Sequence, residues 1–181
     1  TFKPRKIIRL KERDYSRQGY YHVTICIYNH LKIFGKIENN KMVLNQHGNI
    51  AYDCWNDLPN YHKNIKLDEF IIMPNHIHGI INVVAGAGPA RSFTKYKNSN
   101  NLSIIIGSYK SSVSRQINKL NQNKFRWQRS FHDEIIRTSN RSLYNTRKYI
   151  INNPVNWELD ENNIKNYSVK GQAGQAPAMN L

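Results

Sequence analysis

The alternation of apolar and polar residues predicts four β-strands in this chain. Each predicted strand is a short apolar run rich in β-branched or aromatic residues. Two of them are joined through Pro74-Asn75, a dipeptide typical of turns. The predicted strands cover residues 20–28, 67–73, 77–84 and 131–137.

Three helices are predicted between and after these strands. Over 42–58 and 102–120 the apolar residues recur at the spacing of one helix face. A third helix is expected to begin after Thr138 or Ser139, either of which can cap it, and to run towards Pro154. Proline ends a helix because its ring clashes with the preceding turn and it has no N–H to donate.

The order of these elements is strand–helix–strand–strand–helix–strand, followed by an additional C-terminal helix. This is the order of the ferredoxin-like, or split βαβ, α+β fold, in which two helices back an antiparallel four-stranded sheet. RNA-recognition modules share the fold, so it does not select a function. We expect one domain over 1–168, with a basic arm at 1–18, a mobile loop at about 85–101, and a flexible Gly/Ala/Gln-rich tail over 169–181.

The net charge and its distribution along the chain indicate which class of molecule the protein binds. The 181 residues include 27 Lys+Arg and 12 Asp+Glu, which gives a net charge of +15. No acidic residue lies between Phe70 and His132, an interval that holds many lysines and arginines. A long acid-free interval favours a continuous surface for nucleic-acid phosphates, and interspersed aromatic residues suit single strands. A scattered basic surface with the aromatic residues in the core is the alternative.

The remaining composition predicts a cytoplasmic protein. The chain has no run of roughly 18 uncharged apolar residues and no signal-peptide core, so we expect no membrane partner. Cys26 and Cys54 lack the CxxC spacing of metal or redox sites. They are interpreted as buried, reduced thiols.

Two pairs of residues are candidates for chemistry. His76 and His78 alternate on a predicted strand, so both imidazoles project from one face and can converge on one ion. Tyr149 and Asn153 are four residues apart on the last predicted helix, where a phenol and an amide can supply a nucleophile and an oxygen ligand. Each pair also has a structural interpretation, as polar residues at a strand end and as a packed tyrosine followed by a helix stop.

The motifs around these residues resemble those of a known family. The segment PNHIHGII, residues 74–81, resembles the HUH motif (His, hydrophobic, His) of single-tyrosine transposases. The segments WQRSFHDEIIR at 127–137 and YIINNPV at 149–155 resemble the second signature of the REP-associated tyrosine transposase branch. The resemblance extends from the strand near Tyr20 to about Trp157.

The resemblance implies a ferredoxin-like fold and a role for each candidate residue. His76 and His78 would bind a divalent metal, Mg²⁺ or Mn²⁺, and Tyr149 would attack single-stranded DNA. Asn153 would be the third metal ligand, at a position where related insertion-sequence transposases have glutamine. The long loop and the tail are not part of the resemblance.

The implied activity is that of a metal-dependent single-strand DNA endonuclease and strand transferase. It would form a 5′-phosphotyrosine intermediate on hairpin-forming repetitive DNA without ATP, as a bacterial, nucleoid-associated monomer or homodimer. A domesticated form that nicks its element without moving it fits equally well. The alternative is a non-catalytic DNA- or RNA-binding module of the same fold. The predicted DNA-binding residues are Lys110, Arg115, Lys119, Arg126, Trp127, Arg129, Arg147 and Lys148.

Overall fold

A computed structural model of the chain describes residues 18–84, 102–120, 124–137, 140–163 and 165–166. The predicted helix caps Thr138 and Ser139, residues 1–17 of the predicted arm, the loop at 85–101 and the tail from 169 lie outside the described residues. In chain order the elements are β1 (Gly19–Cys26), β2 (Gly35–Glu38), β3 (Lys41–Leu44), α1 (Gln46–Asn56), α2 (Leu58–Tyr61), β4 (Ile65–Ile72), β5 (His76–Val83), α3 (Leu102–Leu120), β6 (His132–Ile136) and α4 (Asn140–Ile151).

The main sheet confirms the predicted fold class. It has four antiparallel strands in the order β4-β5-β1-β6. This order places β5 on one side of β1, with its hairpin partner β4 at the edge, and places the last strand on the other side of β1, as in a split βαβ fold. The predicted α+β architecture and its four-stranded antiparallel sheet are therefore present.

One predicted element is wrong in its first part. The sequence pattern predicts a helix from Met42, whereas residues 41–44 form β3, which pairs with β2 as a hairpin outside the main sheet. Asn39 and Asn40 form the hairpin turn with φ values of 49° and 61°, the backbone conformation that two-residue turns require. The helix begins only after Asn45, whose side-chain oxygen accepts a hydrogen bond from the Gly48 N–H.

The two faces of the main sheet are covered by different helices. Odd-numbered residues of β1 and β5, such as Val23 and Ile77, face α1 and α3 and form the main hydrophobic core with them. Even-numbered residues face α4, where Ile80 packs with Ile136 and Ile150. Since side chains alternate along a strand, His76 and His78 of β5 lie on this same second face of the sheet. None of the described helices has the length and apolarity needed to span a bilayer.

Close packing of α1 against β5 depends on a glycine. A Cβ atom at Gly79 would lie 2.3 Å from a ring carbon of the buried Trp55. The indole therefore rests directly on the β5 backbone, which only glycine permits at this position. This contact fixes α1 on the face of the sheet opposite to α4.

We expect Gly79→Ala to destabilise the protein by about 1–3 kcal/mol, because the added methyl group displaces Trp55 in a packed core. Urea denaturation would measure the change. The matched control is Gly107→Ala inside α3, where no described atom beyond the adjoining residues and the helix's own backbone lies within 4 Å of the added Cβ. That variant should gain about 0.5–1 kcal/mol from helix propensity. Equal stability of Gly79→Ala and the parent would contradict the proposed packing.

Candidate active site

The two histidines of β5 lie side by side on the face covered by α4. His76 and His78 are 0% and 2% exposed, and their ring centroids are 4.6 Å apart. The structure thus brings the predicted pair together on one face of the sheet. Burial lowers the pKa of His76 to about 3 and holds the pKa of His78 well below its usual value. Both imidazoles are therefore neutral at physiological pH, which is the form that binds metals.

A buried carboxylate that the sequence analysis missed completes this group. Asp160 follows a 3₁₀ turn, Trp157–Leu159, after α4, and its Oδ2 lies 3.6 Å from His76 Nε2. Ligand atoms of His76, His78 and Asp160 all lie within 4.8 Å of one another. Asp160 lies outside both motifs and has no periodic or spacing signal, so sequence reasoning had nothing with which to find it.

The chemistry of this group fits a divalent metal. Two neutral imidazoles and one carboxylate are a mixed nitrogen and oxygen donor set, which suits ions such as Mn²⁺. Within the described part of the chain, His76 Nε2 and Asp160 Oδ2 are buried without a hydrogen-bond partner. Burial also raises the pKa of the Asp160 carboxyl group. Buried polar atoms without partners are costly, and a shared cation would satisfy both of them.

Tyr149 places its hydroxyl group at the edge of the histidine pair. Its Oη lies 3.5 Å from His78 Nε2, and the side chain is 47% exposed. Burial of the phenol, followed by the nearby charge of Asp160, raises the pKa of Tyr149, whereas a hydrogen bond with the Asn153 side chain lowers it. The hydroxyl group thus lies within reach of both the buried histidines and solvent.

Asn153, the predicted third ligand, lies beside Tyr149 just after the end of α4. It is buried, and among the described residues its Oδ1 atom has no hydrogen-bond partner. Its backbone N–H donates to Ile150 at 3.2 Å, which continues the last turn of the helix. An amide oxygen is thus free near Tyr149, and a metal role for Asn153 stays a prediction.

His22 is a further neighbour of the histidine pair, to which the sequence analysis assigned no role. It lies on β1 with its ring centroid 5.3 Å from His78 and 5.9 Å from Tyr149. Burial lowers the pKa of this imidazole as well. A third neutral histidine therefore lies next to the nucleophile candidate.

A cavity of about 850 Å³ lies next to Tyr149 and His78. Its wall includes Asp133, Glu134 and Glu161, and none of the described residues that line it is a lysine or an arginine. A phosphate in this cavity would therefore gain no neutralisation from a lysine or an arginine of its described wall.

Three of the eight predicted DNA-binding residues make hydrogen bonds within the chain, and DNA contact by all eight stays a prediction. Lys110 donates to the carbonyl oxygens of Gln128 and Ser130 at 2.7 and 2.9 Å. Trp127 donates from Nε1 to the Lys110 carbonyl oxygen at 3.0 Å and packs its ring on the core. The third residue is Arg147, which is bound to a carboxylate of β4 and is described below. The other five residues are exposed: Arg115, Lys119, Arg126, Arg129 and Lys148.

Comparison with known proteins places the chain in a family. No protein-family model matches it. An uncharacterised protein of Haemophilus influenzae (strain Rd) is 34% identical over 166 residues, which cover 87% of this chain and 92% of that protein. The chain belongs to the family of that Haemophilus protein.

A solved structure extends the comparison from sequence to fold. A REP-associated tyrosine transposase bound to a REP hairpin matches 85% of this chain and 77% of its own, with a TM-score of 0.58 and 15% sequence identity. At this identity the match concerns the fold alone. The chain, which belongs to the same family as the Haemophilus protein, therefore has the fold of a tyrosine transposase.

The helix that carries Tyr149 is attached to the sheet by a bidentate ion pair. Arg147 donates from Nε and from a terminal nitrogen to the two oxygens of Asp68 on β4, at 2.8 and 2.6 Å. These hydrogen bonds hold the pKa of the Asp68 carboxyl group below its usual value. Because Arg147 is two residues from Tyr149, the pair sets where the tyrosine lies on the sheet.

We expect Asp68→Asn to lower the free energy of unfolding at neutral pH by about 1 kcal/mol, because the pair is partly exposed. The sign with pH follows from the lowered pKa of Asp68. The contribution of the Arg147–Asp68 pair to the free energy of unfolding is complete above the ordinary pKa of an aspartate. It is lost as the pH falls through the lowered pKa of Asp68. Urea denaturation of the variant and the parent at several pH values measures both effects.

The matched control for this pair is Glu38→Gln, which removes the exposed pair between Lys36 and Glu38. It should have almost no effect at any pH. A stability difference between Asp68→Asn and the parent that did not shrink on acidification would contradict the ion-pair explanation.

Proposed function

We propose that this protein is a metal-dependent DNA nuclease and strand transferase of the REP-associated tyrosine transposase type, acting on single-stranded, hairpin-forming DNA. The proposal rests on the position of Tyr149 beside the buried histidines. The Tyr149 hydroxyl lies 3.5 Å from His78, which belongs to a buried group of three metal-ligand side chains. The fold match to a transposase bound to a REP hairpin adds support.

His76, His78 and Asp160 are the side chains that would hold the metal, Mg²⁺ or Mn²⁺. A cation bound there would polarise the scissile phosphate and neutralise its charge. Asn153 is a further candidate ligand, since its Oδ1 atom is buried without a partner among the described residues. Its amide also contacts the Tyr149 hydroxyl group, so it would help to orient the nucleophile.

The proposed reaction exchanges one phosphate ester for another. Tyr149 Oη forms a bond to the phosphorus atom, and the bond from phosphorus to the 3′ oxygen breaks. The phenolic proton is lost during the attack, because the raised pKa keeps Tyr149 protonated at neutral pH, and the leaving 3′ oxygen gains a proton. The products are a 5′-phosphotyrosine and a free 3′-OH. Attack by another 3′-OH reverses the chemistry, so rejoining needs no ATP.

The rest of the strand would be held outside the cavity. The cavity wall carries three acidic side chains, so phosphates flanking the scissile one would be repelled from it. The exposed residues Arg115, Lys119, Arg126, Arg129 and Lys148 are the proposed phosphate contacts. Association with the bacterial nucleoid, as a monomer or a homodimer, would follow from such a DNA substrate.

The first test looks for a covalent adduct between the protein and DNA. A hairpin oligonucleotide labelled at its 3′ end is incubated with the protein and Mn²⁺ or Mg²⁺ and analysed on a denaturing gel. The label should migrate with the protein, because the 3′ fragment keeps the 5′ phosphate. Tyr149→Phe and EDTA should each abolish the adduct.

The matched control is Tyr144→Phe, which removes an exposed phenol of the same helix and should leave the adduct unchanged. Tight binding of the hairpin without any adduct in either metal would instead identify a non-catalytic binding module. An adduct that carries a 5′-end label would refute the proposed polarity of attack.

The second test concerns the third ligand. Asp160→Asn should weaken Mn²⁺ binding by at least about tenfold, since it removes a charged donor from the cluster. Titration calorimetry with Mn²⁺ on the full chain measures this directly. Glu161→Gln removes one negative charge from the adjacent, exposed residue and should change the affinity far less. If Asp160→Asn binds Mn²⁺ like the parent while Asn153→Ala does not, the third ligand is the amide.

A further inference from the structure

We propose that Asn75 is the positioning residue of the metal centre: it determines which nitrogen of His76 faces the cation and also anchors the turn that carries Asp160. This inference rests on the metal-binding role proposed for His76, His78 and Asp160. Asn75 lies between β4 and β5, is fully buried, and contacts three separate segments of the chain.

The orientation of the Asn75 amide is determined by its partners. Its Nδ2 lies 3.0 Å from the carbonyl oxygen of His30 and 2.8 Å from the carbonyl oxygen of Asn162. Carbonyl oxygens only accept hydrogen bonds, and an amide nitrogen has two hydrogens to donate. Both hydrogens are thus used, and the assignment of nitrogen and oxygen in this side chain has a single solution.

The amide orientation in turn determines the tautomer of His76. The remaining atom, Asn75 Oδ1, lies 2.8 Å from His76 Nδ1 and can only accept. His76 Nδ1 must therefore carry the proton. A neutral imidazole has one N–H, so Nε2 has the free lone pair, and Nε2 is the atom that lies 3.6 Å from Asp160 Oδ2.

The hydrogen bond from Asn75 to Asn162 helps to position Asp160, the carboxylate ligand. Asn162, whose carbonyl oxygen accepts from Asn75, donates its own backbone N–H to Asp160 Oδ1 at 2.6 Å. One oxygen of Asp160 is thereby held, and the other is left facing His76. A single buried amide thus positions two of the three ligands, one on β5 and one beyond α4.

Among the described residues, His78 has no amide partner that would fix its tautomer in the same way. His78 Nδ1 lies 2.9 Å from Thr24 Oγ1. A hydroxyl group can donate or accept, so this contact orients the ring without selecting a tautomer. Asn75 thus does more than satisfy backbone carbonyl groups, because it also fixes the tautomer of His76, which Thr24 does not do for His78.

The direct test uses the metal-free protein. Long-range ¹H–¹⁵N correlation NMR identifies which nitrogen of each neutral histidine carries the proton. In the parent protein His76 should be the Nδ1–H tautomer, and in Asn75→Ala it should become a mixture of tautomers. A parent His76 protonated at Nε2 would overturn the proposal even if the variant failed to fold.

The second readout is metal affinity. Mn²⁺ titration calorimetry on the full chain should show a loss of about 10–100-fold in Asn75→Ala, the usual cost of removing a partner that orients a ligand. The matched control is Asn45→Ala, which also removes an amide that donates to a backbone carbonyl and accepts a hydrogen bond, but from an exposed residue at the start of α1. It should lower stability and leave Mn²⁺ affinity unchanged.

The outcomes separate this inference from the proposed function. If the parent binds Mn²⁺ and Asn75→Ala binds it equally well, the role of Asn75 is refuted and the metal centre stands. If Asn45→Ala loses as much affinity as Asn75→Ala, the effect is one of general stability, and the positioning role is likewise refuted. A parent that binds no Mn²⁺ and forms no DNA adduct refutes the metal centre itself.

Discussion

The structure depends on the burial of two neutral imidazoles between a β-sheet and a helix. His76 and His78 occupy the face of β5 that would otherwise carry apolar residues such as Ile80, and burying their polar atoms is unfavourable unless each atom has a partner. The Nδ1 atoms are satisfied by Asn75 and Thr24. The Nε2 atom of His76 lies near Asp160, and the Nε2 atom of His78 lies near Tyr149. These two polar atoms therefore lie close together at one place on the sheet.

Helix α4 closes this face and brings the tyrosine to it. Its attachment combines an apolar contact of Ile150 with the sheet and the ion pair between Arg147 and Asp68. Because Tyr149 lies between these two anchoring residues in the chain, its position is set by both. The Tyr149 side chain remains about half exposed beside the cavity, while its neighbours hold the helix in place.

Much of the fold follows from local patterns. The α3 helix has its predicted bounds at residues 102 and 120, and the strand bounds differ from prediction by a few residues. Periodicity failed at residues 41–44, because Val43 and Leu44 fit both a helix face and a short strand, and only the pairing of β3 with β2 decides between them. Local patterns also could not show that Lys110 and Arg147 donate hydrogen bonds to other segments of the chain, because those acceptors are distant in sequence.

The sequence by itself determined that His76 and His78 share one face of a strand and that Tyr149 lies on the last helix, since alternation and helical spacing are properties of neighbouring residues. Only the tertiary structure decided which atoms meet. The turn after α4 returns Asp160 to His76, and Asn75 joins that turn to β5. Contacts between residues so distant in sequence depend on how the helix packs on the sheet, and that packing is the sum of many contacts that no single motif records.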